Sequence, residues 1–170
     1  RSATKEQVES LGGKFIMVED EESTNAETEG GYAKEMSDEY KKKQANLIAE
    51  TIAKQDIVIC TALIPGRTAP VLISKEMVES MATGSIVVDM AVEAGGNCPL
   101  SKLGEVVDHN GVKIIGYANV PGRVAKDASA LYAKNIFNFL SLIIDKDDKK
   151  INLNWDDEII KAVVLTNEGK

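Results

Sequence analysis

The chain has 170 residues, of which 44% are hydrophobic and 28% charged, and its formal net charge is −7. This length and composition are typical of one globular domain with a real core. The acidic balance argues against nucleic acid and anionic membrane surfaces as partners, because both require clustered Lys and Arg. Cys60 and Cys98 have no metal-binding spacing and form no disulfide framework, and the only histidine, His109, precedes an Asn-Gly turn. A protease-like mechanism that needs a catalytic histidine is therefore not expected.

The first third of the chain predicts a helix, a strand, a long loop and a second helix. A capping-box pattern begins at Thr4 and predicts a helix that ends at the following Gly-Gly pair. The apolar run FIMV, residues 15–18, predicts a short strand. Residues 19–37 are acidic, contain glycine and show no apolar period, which is typical of a lid or a disordered segment. Residues 38–54 predict a helix with a solvated basic run.

The remaining elements alternate between strands and helices. Continuous apolar runs predict strands at 56–60 and 85–90, with a short helix at 74–81 between them. Residues 104–117 predict a hairpin about an Asn-Gly turn, and 124–144 predict a long amphipathic helix. Strands without polar alternation are usually buried on both faces of a parallel sheet. The pattern therefore predicts an α/β fold with a parallel sheet, followed by a tail of short strand-like pieces around a possible helical turn.

Three strands are followed by loops rich in Gly, Pro and small residues: TALIPGRTAP, AVEAGGN and ANVPGR. Ligands of open parallel sheets bind outside the carboxyl ends of the strands, so these loops predict a rigid binding edge for a flat ligand. Thr61 could offer a hydroxyl, and Ala62 and Leu63 could contact a ring. The alternative is that Pro and Gly only turn the chain after each strand. No glycine spacing matches the G-x-G-x-x-G dinucleotide signature.

Longer stretches carry a resemblance. TALIPGRTAPVLISKEMVESMATGSIVVDMAVEAGGN resembles the alanine dehydrogenase / pyridine nucleotide transhydrogenase family. EGGYAKEMSDEY, GYANVPGRVAKDASALYAKNIFNFL and WDDEIIKAVVLTNEGK are similar to its transhydrogenase branch. Together they cover essentially the whole chain, which is similar to the carboxyl-terminal half of the family's NAD(H)-binding domain I. The resemblance implies that the phosphate-binding glycines and the ribose-binding acid precede Arg1, so we expect a piece of a longer polypeptide.

The resemblance also implies an architecture. Residues 1–123 would be the carboxyl-terminal part of a Rossmann-like, doubly wound parallel sheet. Residues 124–145 would be a long interdomain helix, and 146–170 a tail that returns to a second subdomain.

The resemblance implies an activity as well. NADH in domain I would pass a hydride directly to NADP⁺ in a partner domain III, and a membrane domain would couple this transfer to proton translocation. The expected partners are a second copy of domain I, domain III and the membrane domain or subunit. The expected location is the cytoplasmic side of a bacterial inner membrane, or the matrix side in mitochondria. The cofactors carry such chemistry, so no catalytic acid or base is expected in this domain.

The family's NAD site implies roles for individual residues. Arg1 would lie by the adenosine ribose. Gly31 and Tyr32 would belong to a mobile loop that closes over the nucleotide, and Met36 would lie at its far end. The remaining cofactor-binding residues would be a glutamine on the following helix and three residues that line the nicotinamide side of the cleft: Gln44, Thr61, Ala62 and Leu63.

Three other readings stay open. An alanine dehydrogenase would need an acid/base group, and its branch has an aspartate where this chain has Glu93. That branch also lacks the long insertion at 19–37, so both differences favour the transhydrogenase branch. A non-catalytic NAD-binding redox sensor is the second alternative. Acidic clusters at 19–22 and 145–148 could suggest a metal, but they are typical of solvated surface charge, and no metal is expected.

Overall fold

The computed structural model describes residues 4–19, 36–64 and 66–169. It divides into two compact units, Arg1–Ala118 and Asn119–Lys170. The first unit contains a four-stranded sheet, and the second is helical.

The sheet consists of β1 (Ile57–Cys60), β2 (Ile86–Asp89), β3 (Val106–His109) and β4 (Val112–Ile115) in the order β1-β2-β4-β3. β1 pairs parallel with β2, and β2 pairs parallel with β4. β3 is an antiparallel edge strand beside β4. The predicted α/β class is confirmed, and β1, β2 and β4 end at the same edge of the sheet.

Three helices precede or connect these strands: α1 (Lys5–Ser10), α2 (Asp38–Ile52) and α3 (Lys75–Glu79). The hydroxyl oxygens of Ser37 and Ser74 accept a backbone N–H at the start of α2 and α3, each at 3.2 Å. Such caps satisfy donors that the helix leaves unpaired. The basic run on α2 lies in solvent and pairs along the helix, as predicted.

The core of the first unit lies on one face of the sheet. Side chains from α2, α3 and the loop after β2 pack there against alternate residues of the strands: Ile52, Cys60, Ile73, Val78, Met81, Val87, Cys98, Val112 and Ile114. On the opposite face, Ile57 and Ile59 are 60% and 62% exposed. The expectation that β1 is buried on both faces is therefore wrong for the described residues. Both α2 and α3 pack on the core face of the sheet, so neither covers Ile57 and Ile59.

The predicted hairpin forms, with Asn110 and Gly111 at φ values of 54° and 83°. Two positive φ values suit a tight turn between twisted strands. His109 ends β3, and its Nε2 lies 2.9 Å from Glu79 Oε1. β3 runs antiparallel to β4, so this histidine lies at the edge of the sheet opposite the carboxyl ends of β1, β2 and β4.

Two sequence predictions near the amino terminus are wrong. Residues 15–18 form no strand, since a strand requires a hydrogen-bonded neighbour and no described segment pairs with them. Thr4 takes the N-cap position of α1 with helical backbone angles, and its side chain makes no capping hydrogen bond. A capping side chain needs an extended backbone at that position, so the capping box does not form. Of the loop predicted at 19–37, residues 20–35 lie outside the described residues.

The second unit contains α4 (Val120–Arg123), α5 (Ala125–Ile143) and α6 (Glu158–Val163). α5 matches the predicted long helix, and an antiparallel bridge joins Ile144 to Ile151 in the tail. The stretch ANVPGR is mostly the short helix α4 rather than the predicted loop. Asn119 caps this helix, because its Oδ1 accepts the N–H of Gly122 at 3.2 Å.

Candidate functional site

A cavity of about 320 Å³ lies beyond the carboxyl ends of β1 and β2, and we call it the carboxyl-edge pocket. One wall comes from the loop after β1 and the other from the turn after β2: Leu63, Ile64, Gly66, Arg67, Met90, Ala91, Glu93 and Ala94. Most of these side chains are apolar or small, and Arg67 and Glu93 are the charged residues of the described lining. This position is where parallel α/β sheets bind their ligands.

Three of the predicted site residues lie near the first wall of this pocket, and their role in cofactor binding stays a prediction. Thr61, Ala62 and Leu63 follow β1 directly, and Leu63 lines the pocket with 51% of its surface exposed. Thr61 is exposed, while Ala62 is half-buried. Leu63 can therefore offer apolar surface to a ligand without any rearrangement of the core.

Of the other predicted site residues, the two that the structure describes, Met36 and Gln44, do not line this pocket. Gln44 lies on α2 and lines a separate apolar cavity of about 310 Å³, together with Tyr40 and core side chains such as Ile52. Met36 is half-buried and directly precedes the cap of α2. Arg1, Gly31 and Tyr32 lie outside the described residues, so their assignment stays a prediction.

The turn after β2 is built around a buried carboxylate that the sequence analysis did not single out. Asp89 is 1% exposed and accepts the N–H of Ala91 and of Cys98, each at 3.0 Å, and the hydroxyl of Ser101 at 2.7 Å. Hydrogen bonds to a charged group are among the stronger ones in proteins. Asp89 therefore fixes the second wall of the pocket at both ends.

Backbone hydrogen bonds join the two walls. The N–H of Ala69 donates to the carbonyl of Ala94 at 2.8 Å. The N–H groups of Leu72 and Ile73 donate to the carbonyl of Asn97 at 2.9 and 3.1 Å. Asn97 is fully buried, and it too was missed in the sequence. A polar residue within a Gly-rich turn after a buried strand was the available signal.

Neither cysteine is suited to nucleophilic chemistry. Burial, helped by the nearby charge of Asp89, raises the pKa of Cys60 to about 12. Burial is also the main reason that the pKa of the Cys98 thiol is raised. The thiolate is the reactive form, so both side chains act as small core residues.

The acidic cluster in the tail has a structural explanation. Asp145 Oδ1 accepts the N–H of Asp147 at 2.9 Å and of Asp148 at 3.0 Å, and these bonds lower the pKa of Asp145. Its carboxylate thus closes a turn. Within the part of the chain that the structure describes, no group of three or more His, Cys, Asp or Glu side chains is arranged to hold a metal ion.

Among the helices of the described segments, none combines the length and the apolar character that a bilayer span requires.

The fold and the carboxyl-edge pocket define an α/β protein of the kind that binds a ligand beyond the ends of parallel strands. The family model described as "Alanine dehydrogenase/PNT, C-terminal domain" matches residues 1–170. The chain belongs to this family, and the resemblance seen in the sequence is confirmed.

Individual relatives are consistent with the transhydrogenase branch. The chain is 57% identical over 169 residues to an NAD(P) transhydrogenase subunit alpha protein of Rhodospirillum rubrum, a match that covers 99% of this chain and 44% of that protein. It superimposes with a TM-score of 0.70 on the crystal structure of transhydrogenase from Sinorhizobium meliloti, at 51% identity, over 95% of this chain and 40% of that one. Alanine dehydrogenase 1 of Staphylococcus aureus is more distant, at 34% identity over 94% of this chain and 43% of that protein. The chain thus spans less than half the length of these relatives.

Proposed function

We propose that this chain forms part of the NAD(H)-binding domain of a proton-translocating transhydrogenase. In this proposal the domain holds NADH, and the nicotinamide donates a hydride directly to NADP⁺ on a partner domain. A membrane domain of the same complex couples the transfer to proton movement. The domain acts as a homodimer on the cytoplasmic or matrix side of the membrane.

The single observation that carries the proposal is the carboxyl-edge pocket on a chain 57% identical to a transhydrogenase alpha subunit. A volume of about 320 Å³ is at the lower end of ligand pockets, so it suits one ring system rather than a whole dinucleotide. Leu63 and Met90, which are 51% and 43% exposed, offer apolar surface against which a nicotinamide ring could pack. As the family resemblance implies, we assign Thr61 and Ala62, together with Leu63, to the nicotinamide side. We assign the rest of the dinucleotide to the other residues that the resemblance implies: Arg1, Gly31, Tyr32, Met36 and Gln44.

The chemistry of the described site agrees with a positioning role. The single histidine lies at the opposite edge of the sheet, and the cysteines are buried and protonated. Direct hydride transfer between two nicotinamides needs orientation and exclusion of water, and it needs no acid or base from this domain. The walls of the pocket would supply both.

One observation favours a second candidate. Glu93 lines the pocket, and the family resemblance implies that the alanine dehydrogenase branch has an aspartate at this position. A carboxylate there could in principle serve the acid/base chemistry of an amino acid dehydrogenase. The greater identity to transhydrogenase subunits favours the first candidate.

The experiment that separates them uses the complete protein that contains this chain. Mixed with an NADP-binding partner domain, it should transfer hydride from NADH to an NADP⁺ analogue, and the rate should depend on both proteins. It should not reduce NAD⁺ with L-alanine. Alanine-dependent NADH formation without a partner would instead support the dehydrogenase, and NADH binding without either reaction would support a redox sensor.

A further inference from the structure

The side chain of Asn97 clamps the peptide of Ala62 from both sides. The N–H of Ala62 donates to Asn97 Oδ1 at 3.1 Å, and Asn97 Nδ2 donates to the carbonyl of Ala62 at 2.9 Å. Nδ2 also donates to the carbonyl of Pro70 at 2.7 Å. One amide group therefore uses both of its donors and its acceptor on two points of the loop after β1.

The position of this amide makes its bonds consequential. Asn97 is 0% exposed, so water does not replace a lost partner, and a buried amide without partners is costly. Its neighbour Cys98 is held through its N–H by Asp89, at 3.0 Å. The clamp thus stands on a turn that is itself fixed to the end of β2.

The clamp connects the two walls of the carboxyl-edge pocket. Ala62 directly precedes Leu63 on the first wall, while Asn97 follows the turn that carries Glu93 and Ala94 on the second. In addition to the backbone hydrogen bonds between the walls, three hydrogen bonds of the Asn97 side chain, which cross 35 or 27 positions in sequence, hold the start of the first wall against the second.

We propose that Asn97 is a positioning residue for the nicotinamide pocket. Its hydrogen bonds hold the backbone of Ala62, and so the adjacent Leu63, at a fixed distance from the turn after β2. This distance is the width of the carboxyl-edge pocket into which a flat ring would fit. This inference rests on the proposed function, since it assigns the gap to the nicotinamide of NADH. Asn97 itself has both polar atoms turned to the protein and would make no contact with the ring.

The test substitutes Asn97 by Asp and by Ser in the complete protein and measures NADH affinity and hydride transfer to the partner domain. Asn97→Asp keeps the volume but places a carboxylate oxygen against the carbonyls of Ala62 and Pro70. We expect NADH to bind about tenfold more weakly or more, because both hydrogen bonds that Nδ2 donates are lost and the loss of one buried hydrogen bond already corresponds to about tenfold. Asn97→Ser, which is too short to reach all three partners, should show a smaller loss in the same direction.

A matched control separates positioning from general stability. Val112→Ala removes two methyl groups from a core side chain on β4, and Val112 does not line the pocket. It should lower the unfolding temperature and leave NADH affinity unchanged when measured well below that temperature. If the Asn97 variants also lose only stability and keep wild-type affinity and transfer rate while folded, the proposal is wrong.

The pH dependence gives a signature that a purely structural role would not produce in the folded protein. Burial raises the pKa of a carboxyl group, so Asp at position 97 takes up a proton more readily than a free Asp as the pH falls. The protonated side chain can again donate one hydrogen bond. The ratio of variant to wild-type dissociation constants for NADH should therefore decrease towards low pH, and a constant ratio would contradict the proposal.

A measurement on the wild-type protein does not depend on any variant. The amide hydrogen of Ala62 should exchange slowly with solvent, because Asn97 Oδ1 accepts it. Exchange as fast as in an unstructured loop would overturn the clamp even if every variant failed to fold. Conversely, slow exchange at Ala62 in a protein that binds no NADH would show that Asn97 holds the loop as described. It would also show that the pocket does not bind nicotinamide, and would refute the proposed function.

Discussion

Gly96→Ala tests whether the turn after β2 depends on the buried carboxylate of Asp89. Gly96 has a φ of +84°, and a Cβ there would lie 2.7 Å from Asp89 Oδ2 and 2.7 Å from Ser101 Oγ. Real Cβ atoms do not approach oxygen so closely, so the carboxylate must move. Asp89 Oδ2 is the atom that accepts the N–H of Cys98 and the hydroxyl of Ser101.

The magnitude follows from two contributions. A left-handed backbone costs an alanine about 1–2 kcal/mol. Displacement of the carboxylate removes at least one hydrogen bond to a charged group, which contributes about 1.5–3 kcal/mol. We expect Gly96→Ala to lower the free energy of unfolding by about 2.5–5 kcal/mol.

Gly104→Ala is a matched control. Gly104 has a φ of +81°, and a Cβ there would meet no heavy atom within 4 Å. This variant carries the backbone cost alone, and the entropy that alanine removes from the unfolded chain is the same at both positions and cancels. Equilibrium urea unfolding of both variants should therefore differ by about 1.5–3 kcal/mol. Equal losses, within about 0.5 kcal/mol, would refute the role given to Asp89.

Three further predictions concern the pocket, the core thiol and the expected lid. Leu63→Asp should weaken NADH binding by about tenfold or more, because a carboxylate would lose water against the ring, whereas Leu103→Asp, at a residue with similar exposure (57% against 51%), should not. Equal NADH affinities of the Leu63→Asp and Leu103→Asp variants in a fluorescence titration would show that Leu63 does not contact the nucleotide. The pKa of Cys60 is about 12 in the folded state, above the value of 9.0 for an unperturbed thiol. The buried neutral thiol therefore contributes fully to the free energy of unfolding below pH 9.0, and this contribution is lost as the pH rises towards about 12. Cys60→Ala should therefore show a shallower loss of unfolding free energy over that range than wild type, and parallel curves would contradict the buried thiol. Tyr32→Ala should weaken NADH binding or slow hydride transfer without unfolding the domain, and unchanged binding and turnover would refute the lid role that the family resemblance implies.

Elements with strong local signals could be predicted from the sequence. The helix expected at 38–54 spans Asp38–Ile52, and the Asn-Gly pair forms the expected turn. A capping serine and a glycine at positive φ act within a few residues, so their effect does not depend on the rest of the fold. The strand predicted at 56–60 forms as β1, so Thr61, Ala62 and Leu63 lie at the carboxyl edge of the sheet, where parallel sheets bind ligands. Their role in binding NAD(H) stays a prediction.

Elements that depend on distant partners could not be predicted. Residues 15–18 are as apolar as β1, but no described segment pairs with them. The exposed face of β1, with Ile57 and Ile59, has the same cause, because burial depends on what packs there and not on the strand itself. Apolar periodicity reports a tendency to pair or to be covered, and the partner must come from elsewhere.

The same limit applies to the site. Asp89 and Asn97 look like ordinary polar residues near a turn. Their importance comes from contacts that cross 12 positions to Ser101 and 35 positions to Ala62. A single sequence shows the residue types but not these pairings.

The most direct test of the central claim is a titration of the complete domain with NADH and with NADPH, followed by nucleotide fluorescence. We expect saturable binding of NADH and much weaker binding of NADPH, and we expect Leu63→Asp to bind NADH about tenfold more weakly or more. Equal binding of the two nucleotides, or no binding of NADH, would contradict an NAD(H)-specific site at the carboxyl-edge pocket.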